Sequence, residues 1–446
     1  MRELTKGSPA KVIMTFALPI IFGNLLQQLY NLADGKIVST YVGTQAFAAV
    51  GATAVIANLI IGFVNGVTQG FGIPISRCFG AGDYKNMRRY VAGSFIMTVA
   101  MTLILTVGAL LGIEGLLHIL DTPADIMEEA LQYIRIIIMG TAFISLYNYS
   151  ANTLRAVGES RIPLLCLAVA VILNIFLDIL FVHTFSMGLR GAAHATNIAQ
   201  CIAGVLCMAY LLFRFRELVP KGQEWQVQRR KYQEMTVFGI SLGMMSCFVS
   251  IGTVIFQTAV NRLGTKIVTA HIAARRIEEL TNVPMLCTGM AMTTYASQNL
   301  GAGEYDRIKK GIGLAILYTC IWCSFTIVAS YTIGDWLVYM VTGSKNAEVL
   351  KNATNYLKFD TLFYFVTAVI CVVRNAMQGL GDHITPLVSS SLEMIGKIVI
   401  AATLVPWFGY TGVIVAEPLV WFIMVIPLLI QIFRMPVLKN NILTKS

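Results

Sequence analysis

The sequence predicts an all-α integral membrane protein: twelve transmembrane helices in two six-helix lobes related by a parallel pseudo-two-fold repeat. Three observations carry this. Of 446 residues, 56% are hydrophobic and only 13% charged, about half the charged share of a soluble domain. Apolar stretches of the roughly 20 residues needed to cross about 30 Å of hydrocarbon recur along the chain, and only helices satisfy every backbone group inside them. The same short motifs also occur twice, in the same order.

In chain order the spans fall at 12–40, 46–75, 89–112, 126–150, 162–183, 190–213, 235–261, 265–296, 310–333, 353–376, 386–405 and 410–434. The first follows a positively charged segment, as the core of a secretion signal does. Its apolar run continues through Val42 with no small-residue cleavage site where it ends, so this segment is expected to stay in the mature chain. The second, eighth and tenth spans carry polar residues that weaken their hydropathy. Between the sixth and seventh lies a basic stretch, FRFRELVPKGQEWQVQRRKYQ. Residues 1–213 are therefore expected to form one lobe, 214–234 a solvated basic linker that can also meet lipid headgroups, and 235–446 the second lobe.

Orientation follows from Lys and Arg. With the N-terminus inside, 22 basic residues fall in inner segments and 6 in outer loops, with both termini cytoplasmic. The loop from Glu114 to Glu129, on the outside, is acidic. The net charge of +10 reflects this inner bias, and no nucleic-acid partner is expected. Nine cysteines lie scattered in apolar segments, the close pair Cys320 and Cys323 among them. They are expected to be packing residues and not a redox or metal site.

The repeat is explicit. CFGAGDYKNMRR matches NLGAGEYDRIKK at an offset of 221, and NTLRAVGESRIP matches NAMQGLGDHITP at 223. Gly43 pairs with Gly264, Gly188 with Gly409 and Gly191 with Gly412, each 221 apart. Six spans per copy make both copies enter and leave on the same side, so the axis relating them runs along the membrane normal.

Ionisable groups inside a span cost about 2.5–3.5 kcal/mol each and ask for a reason. Asp34 closes a polar stripe of Asn24, Gln27 and Asn31 on one face of the first helix. Asp178 lies one turn after Asn174 on the fifth. Asp34 is nine residues before Gly43 and Asp178 ten before Gly188, placing both about 13–15 Å below the outer surface at 1.5 Å per residue. Thr196 descends to the same depth on the sixth. Asp34, Asn174, Asp178 and Thr196 can therefore meet at one level, as a cation or proton site or as a static interhelical hydrogen-bond cluster.

The second half differs. Asp178, Asn174 and Thr196 pair by offset with Ala401, Lys397 and Glu417. Glu393 and Lys397, one turn apart, are expected to form an intramembrane salt bridge with Glu417 adjacent, as a structural clamp or as part of a substrate or proton path. In the eighth span, HIAARRIEELTNVP holds Arg275, Arg276, Glu278 and Glu279, a density incompatible with lipid. Part of it should line an aqueous cavity, with Arg276 and Glu279 three apart and able to neutralise one another. Asn58, Asn65 and Gln69 form a polar line on the second helix that can face the same cavity. The twenty methionines suit a malleable hydrophobic site or ordinary packing. No Gly-Lys-Ser/Thr phosphate loop and no nucleophile with a base and orienter is present, so neither an enzyme nor a nucleotide-driven pump is expected.

These motifs resemble the multidrug and toxic compound extrusion (MATE) family over nearly all of residues 7–434. PIIFGNLLQQLYNLADGKIVSTYVGTQAFAAVGA resembles its first helix and following loop, FGAGD and QNLGAGE its paired turns, LRAVGESRIP its fourth-to-fifth connection, and NIFLD with GLRGAAHAT its fifth and sixth helices. The resemblance implies a bacterial secondary antiporter of the inner membrane. Such a protein expels cationic or amphipathic compounds against entering protons or sodium ions by a rocker-switch cycle, without a cofactor. It also implies that Asp34, Asn174, Asp178 and Thr196 carry ion coupling, with Asn152 as a further polar member. Some family members carry a seventh-helix carboxylate that GISLGMMSCFVSIGTVIFQTAV lacks. Lys36 and Arg77 also depart from the pattern, while Gln298, the counterpart of Arg77, keeps it. A lipid-linked sugar flippase of the same superfamily is the alternative, disfavoured by twelve spans and the carboxylates. Two lobes of one chain suffice for a cavity, so a monomer is expected.

Overall fold

The computed structural model describes residues 3–120, 122–343 and 346–438, excepting the side chain of Thr44, so Arg2, Lys345, Lys439 and Lys445 of the basic count lie outside the described residues. Among these residues the chain is helical throughout, without a strand. The helices are α1 (Pro9–Tyr41), α2 (Thr44–Gly80), α3 (Tyr84–Ile119), α4 (Met127–Met139), α5 (Thr141–Ala156), α6 (Arg161–Asp178) and α7 (Gly188–Arg214). They continue with α8 (Arg229–Asn261), α9 (Thr265–Gly301), α10 (Tyr305–Thr342), α11 (Ala347–Leu362), α12 (Tyr364–Gly379), α13 (Ile384–Ala402), α14 (Leu404–Phe408) and α15 (Tyr410–Arg434).

Ten spans, counting α4 with α5 and α6 with its π turn as one each, are long and apolar enough to cross a membrane. The α11–α12 pair, bent by 54°, makes an eleventh. The twelfth expected span is α9, 37 residues long but too polar to count among them. The fourth and tenth expected spans are each interrupted, at Gly140 and at Phe363. These breaks lie 223 residues apart, so the repeat extends to the interruptions.

Two compact units result. The first comprises residues 1–3 and Leu18–Ser246, the second Leu4–Ala17 and Cys247–Ser446. The division falls inside α1, beside Pro19, and inside α8. In the first unit α2 packs on α3, α4 and α5, and α7 on α4, α5 and α6. In the second α9 packs on α10, α11 and α12, and α15 on α11, α12, α13 and α14.

The glycines of the repeat are explained by backbone conformation. Gly82 and Gly303 have φ of +70° and +74°, and Gly158 and Gly381 +82° and +100°, values that L side chains rarely adopt. The acidic residues beside them close the turns. Asp83 accepts from the Asn86 backbone N–H at 3.1 Å and caps α3, and Asp382 accepts from the N–H groups of Ile384 and Thr385, both at 3.0 Å. Gly66 and Gly70 on α2 meet α8 so closely that a Cβ on either would lie within 2.6 Å of the backbone of Leu242 or Phe238, the small-residue packing that lets helices approach without a hydrophobic drive.

The α4–α5 junction is equally tight. Asn197 donates to the Ile136 carbonyl at 2.7 Å, and a Cβ on Gly140 would sit 1.8 Å from its side-chain oxygen. Gly140→Ala is expected to drive Asn197 out, break its bond to that carbonyl and lower stability by about 1–3 kcal/mol, read as a fall in thermal unfolding temperature in detergent.

The linker, largely exposed, is also attached to the first unit. Only residues 215–228 lie between α7 and α8, and this stretch is pinned to α3. Arg88 Nε donates to both Glu224 oxygens at 2.8 and 2.7 Å, and Trp225 meets Phe95 edge-on. Arg214, Arg216, Arg229 and Arg230 remain exposed. The hydrogen bond from Arg88 holds the Glu224 carboxyl below its usual value of 4.5. A carboxyl lowered on folding stabilises the attachment fully above 4.5 and loses that contribution as pH falls through the lower folded value. Trp225 fluorescence is therefore expected to stay constant from neutral pH down to about 4.5 and to change below it, the change being absent in Glu224→Gln. Arg77, the departure noted above, is used nearby: it bonds Glu234 at 3.2 Å, and Tyr90 donates to the same carboxylate.

In the second unit Gln298 accepts from the Leu4 N–H at 3.0 Å. Arg307 donates to the carbonyls of Gly7 and Leu4 at 2.8 and 3.2 Å. This explains why the segment before α1 belongs to that unit.

Candidate functional site

In the first unit the structure gathers Asp34 from α1, Asn174 and Asp178 from α6, and Thr196 from α7, the four residues expected at one depth. Asp178 is fully buried and Asn174 is 1% exposed, while Asp34 and Thr196 are half-buried. The Asp34 and Asp178 carboxyls lie close enough to act on one another directly. Even so, neither Asp178 oxygen, neither polar atom of the Asn174 amide, nor Oδ1 of Asp34 has a hydrogen-bond partner within 3.5 Å. Buried polar groups are nearly always satisfied, so an unspent cluster of this size is a functional signal.

Two tyrosines complete the group. Tyr30, one turn before Asp34, places its hydroxyl 3.0 Å from that of Thr196, and the buried Tyr133 of α4 lies within electrostatic reach of both aspartates. Sequence reasoning missed both. Tyr30 was accessible from its i, i−4 relation to Asp34, whereas Tyr133 had no signal beyond being an aromatic in a span. Asp178 is also the last residue of α6 before a π-helical turn, Ile179–Thr184, an irregularity frequent at functional positions.

The other expected members are distributed differently. Asn152 is buried, but its amide donates to Thr68 at 3.0 Å and accepts from Arg155 at 3.1 Å. Its bonds hold α5 to α2 and are not directed at the carboxylates. Gln27 is half-buried and lines a small cavity beside Asn174. Asn31, Asn58 and Asn65 are exposed and Gln69 half-buried on their unit. Arg276 and Glu279 are exposed and 3.5 Å apart, the mutual neutralisation their spacing suggested.

The second unit contains a longer charged chain than the sequence indicated. Glu393 and Lys397 are 3.1 Å apart, Lys397 and Glu417 3.3 Å, Glu417 and Arg275 3.3 Å, and Arg275 and Glu278 2.8 Å. Tyr356 donates to Glu278 at 3.1 Å. Asp360, overlooked in the sequence, is fully buried next to Tyr364, with neither oxygen bonded within 3.5 Å. Two basic side chains, Arg275 and Lys397, thus pair with three carboxyls, Glu278, Glu393 and Glu417, and Asp360 is a further buried carboxyl of the same unit. Among the described residues no cluster of His, Cys, Asp and Glu forms a ready metal cage.

Comparison with known proteins gives this arrangement its context. The family model MatE matches residues 19–180 and again 242–403, the second match beginning 223 residues after the first, at the offset of the internal repeat. Probable multidrug resistance protein YpnP of Bacillus subtilis is 26% identical over 416 residues, covering 92% of each chain. Probable multidrug resistance protein YoeA of the same organism is 24% identical over 407, covering 89% of this chain and 86% of its own. Among solved structures, a multidrug resistance MATE family transporter of the MOP superfamily in an outward-facing conformation shares the fold with a TM-score of 0.91. It is 23% identical, with 98% of each chain covered. With its helical spans, its doubled motif set and these matches, the chain is a multi-pass membrane protein of the MatE family.

Proposed function

We propose that the protein is a secondary antiporter of a bacterial inner membrane. In this reading it exports cationic or amphipathic organic compounds in exchange for H+ or Na+, acts as a single chain and keeps both termini in the cytoplasm. The carrying observation is the Asp34–Asp178 pair: two carboxyl groups from different helices, close enough to act on one another, three of whose four oxygens are buried without a protein hydrogen bond.

Two full negative charges at that separation and burial repel strongly, and each has lost most of its hydration. A proton on one carboxyl, or a sodium ion between them, removes the repulsion and supplies the missing partner. Asn174, Thr196 and Tyr30 add neutral oxygens, a donor set suited to a hard monovalent cation and equally able to hydrogen-bond a protonated carboxyl. Ion occupancy and emptiness thus favour different local packing of α1 against α6 and α7. An equilibrium biased by an ion in this way is the minimum that coupling requires. Entry of the ion from outside would favour substrate release there, and its loss inward would reset the transporter.

The test is efflux of a fluorescent cation such as ethidium from proteoliposomes, with proton and sodium gradients imposed separately. Efflux driven by one gradient establishes antiport and names the ion. Absence of efflux under both rejects this reading in favour of a lipid-linked substrate.

A further inference from the structure

A cavity of about 10 Å³ lies against Asn174, with Gln27, Tyr30 and Gln200 as its other polar walls and Leu167 and Val171 among its apolar ones. Its position relative to the carboxylates follows from helix register. Gln200 lies four residues beyond Thr196 on α7, Asn174 four residues before Asp178 on α6, and Gln27 seven before Asp34 on α1. On all three helices the cavity residues are therefore one or two turns nearer the end of the unit that carries the linker.

The volume is that of one water molecule, and a buried water needs two to four polar partners. Three amides and a phenol surround this space, and both amide atoms of Asn174 are buried and unbonded by protein. The Tyr30 hydroxyl, engaged with Thr196, retains hydrogen-bonding capacity towards a neighbour. The lining contains no carboxylate, so the cavity suits neutral water better than a resident cation.

We propose that this cavity holds one bound water, and that the coupling ion passes between the Asp34–Asp178 pair and the linker end of the unit through it, with Gln200 as the positioning residue. The inference rests on the antiport reading above. A proton crosses along the water and the hydroxyl pair, while a sodium ion exchanges a carboxylate ligand for this water on leaving. In either case the Gln27 and Gln200 amides stabilise the ion in transit without binding it at rest. Nothing about Gln200 was apparent in the sequence, because its meaning depends on facing Asn174 across two helices.

The test uses the full chain and Gln200→Leu, a near-isosteric change that removes the amide, with Gln200→Asn as the conservative variant. A high-resolution structure of the wild type should contain one water within hydrogen-bonding distance of Asn174, absent from Gln200→Leu. In proteoliposomes Gln200→Leu should turn over about tenfold more slowly, the effect of one hydrogen bond lost from the crossing barrier, and Gln200→Asn should recover part of the rate. The ion dependence of equilibrium substrate binding should stay within about twofold of wild type, since a path residue changes the barrier and not the end states. An empty wild-type cavity overturns the proposal. So does wild-type turnover in Gln200→Leu, or a shift in equilibrium ion dependence that accompanies the slower rate. A wild type that ignores both ions overturns the antiport reading and the path with it, whereas an ion-coupled wild type with an unimpaired Gln200→Leu overturns the path alone.

Discussion

Exchange of either Asp34 or Asp178 for Asn is expected to reduce gradient-driven efflux to the level of liposomes without protein, while the chain remains folded and inserted. Asn keeps the shape of Asp and its capacity for hydrogen bonds, but it has no charge to neutralise an entering cation and no carboxyl to carry a proton. The fold should not suffer. Asp178 is fully buried with neither oxygen bonded, so its charged form costs desolvation that no protein partner offsets, and a neutral amide removes that cost. Thermal unfolding temperature should therefore be unchanged or higher in Asp178→Asn. Because the two carboxyls act as one unit, the double variant should be no worse than either single one. Full efflux in both single variants would remove the carboxylate pair from the mechanism.

Lys397→Met is expected to have the largest effect on stability. The Lys397 side chain is 4% exposed and its ammonium lies between Glu393 and Glu417 at 3.1 and 3.3 Å, with Thr253 at 3.5 Å. Its removal leaves Glu393 without a cationic partner in the interior, and breaking a buried pair from one side costs about 3–5 kcal/mol. Glu417 retains Arg275. The double variant Lys397→Met with Glu393→Leu removes the stranded charge together with its partner and should recover most of the loss. Thermal unfolding in detergent separates the cases. A neutral effect of Lys397→Met alone would show that the chain from Glu393 to Glu278 is not a structural clamp, and would direct attention to ion or substrate handling in this unit.

The contrast between the two units explains which residues could be read in advance. Asp34 and Asp178 were legible because each stands alone within a long apolar run, at a depth countable from a glycine turn. Glu393, Lys397 and Glu417 were legible for the same reason, joined by helix spacing and by the repeat offset. Asp360 was not, since it lies in LKFDTLFYF beside Lys358, where it resembles the polar end of a span. The 54° bend between α11 and α12 is part of a path that only the folded chain reveals, and Asp360 is buried near it. Asn152 shows what only the folded chain reveals about a residue's bonds. The family resemblance suggested ion coupling for it, and in the fold its amide is bonded to Thr68 and Arg155, the packing role that a polar residue inside a helix bundle also serves.

The sequence by itself determined the membrane class, the order of the spans, the doubled organisation and the pair of aspartates. Each depends on local quantities, namely hydrophobic run length, charge placement and motif spacing, which the chain carries without reference to its neighbours in space. Only the tertiary structure decided that Tyr30 and Tyr133 join the carboxylates, that the linker is fastened by Arg88 to Glu224, and that Arg275 and Glu278 extend the clamp. It alone placed Gln200 across a water-sized space from Asn174. These are contacts between helices, and the rotation of one helix against another is set by close packing of glycines and side chains summed over the unit, a quantity that no single segment encodes.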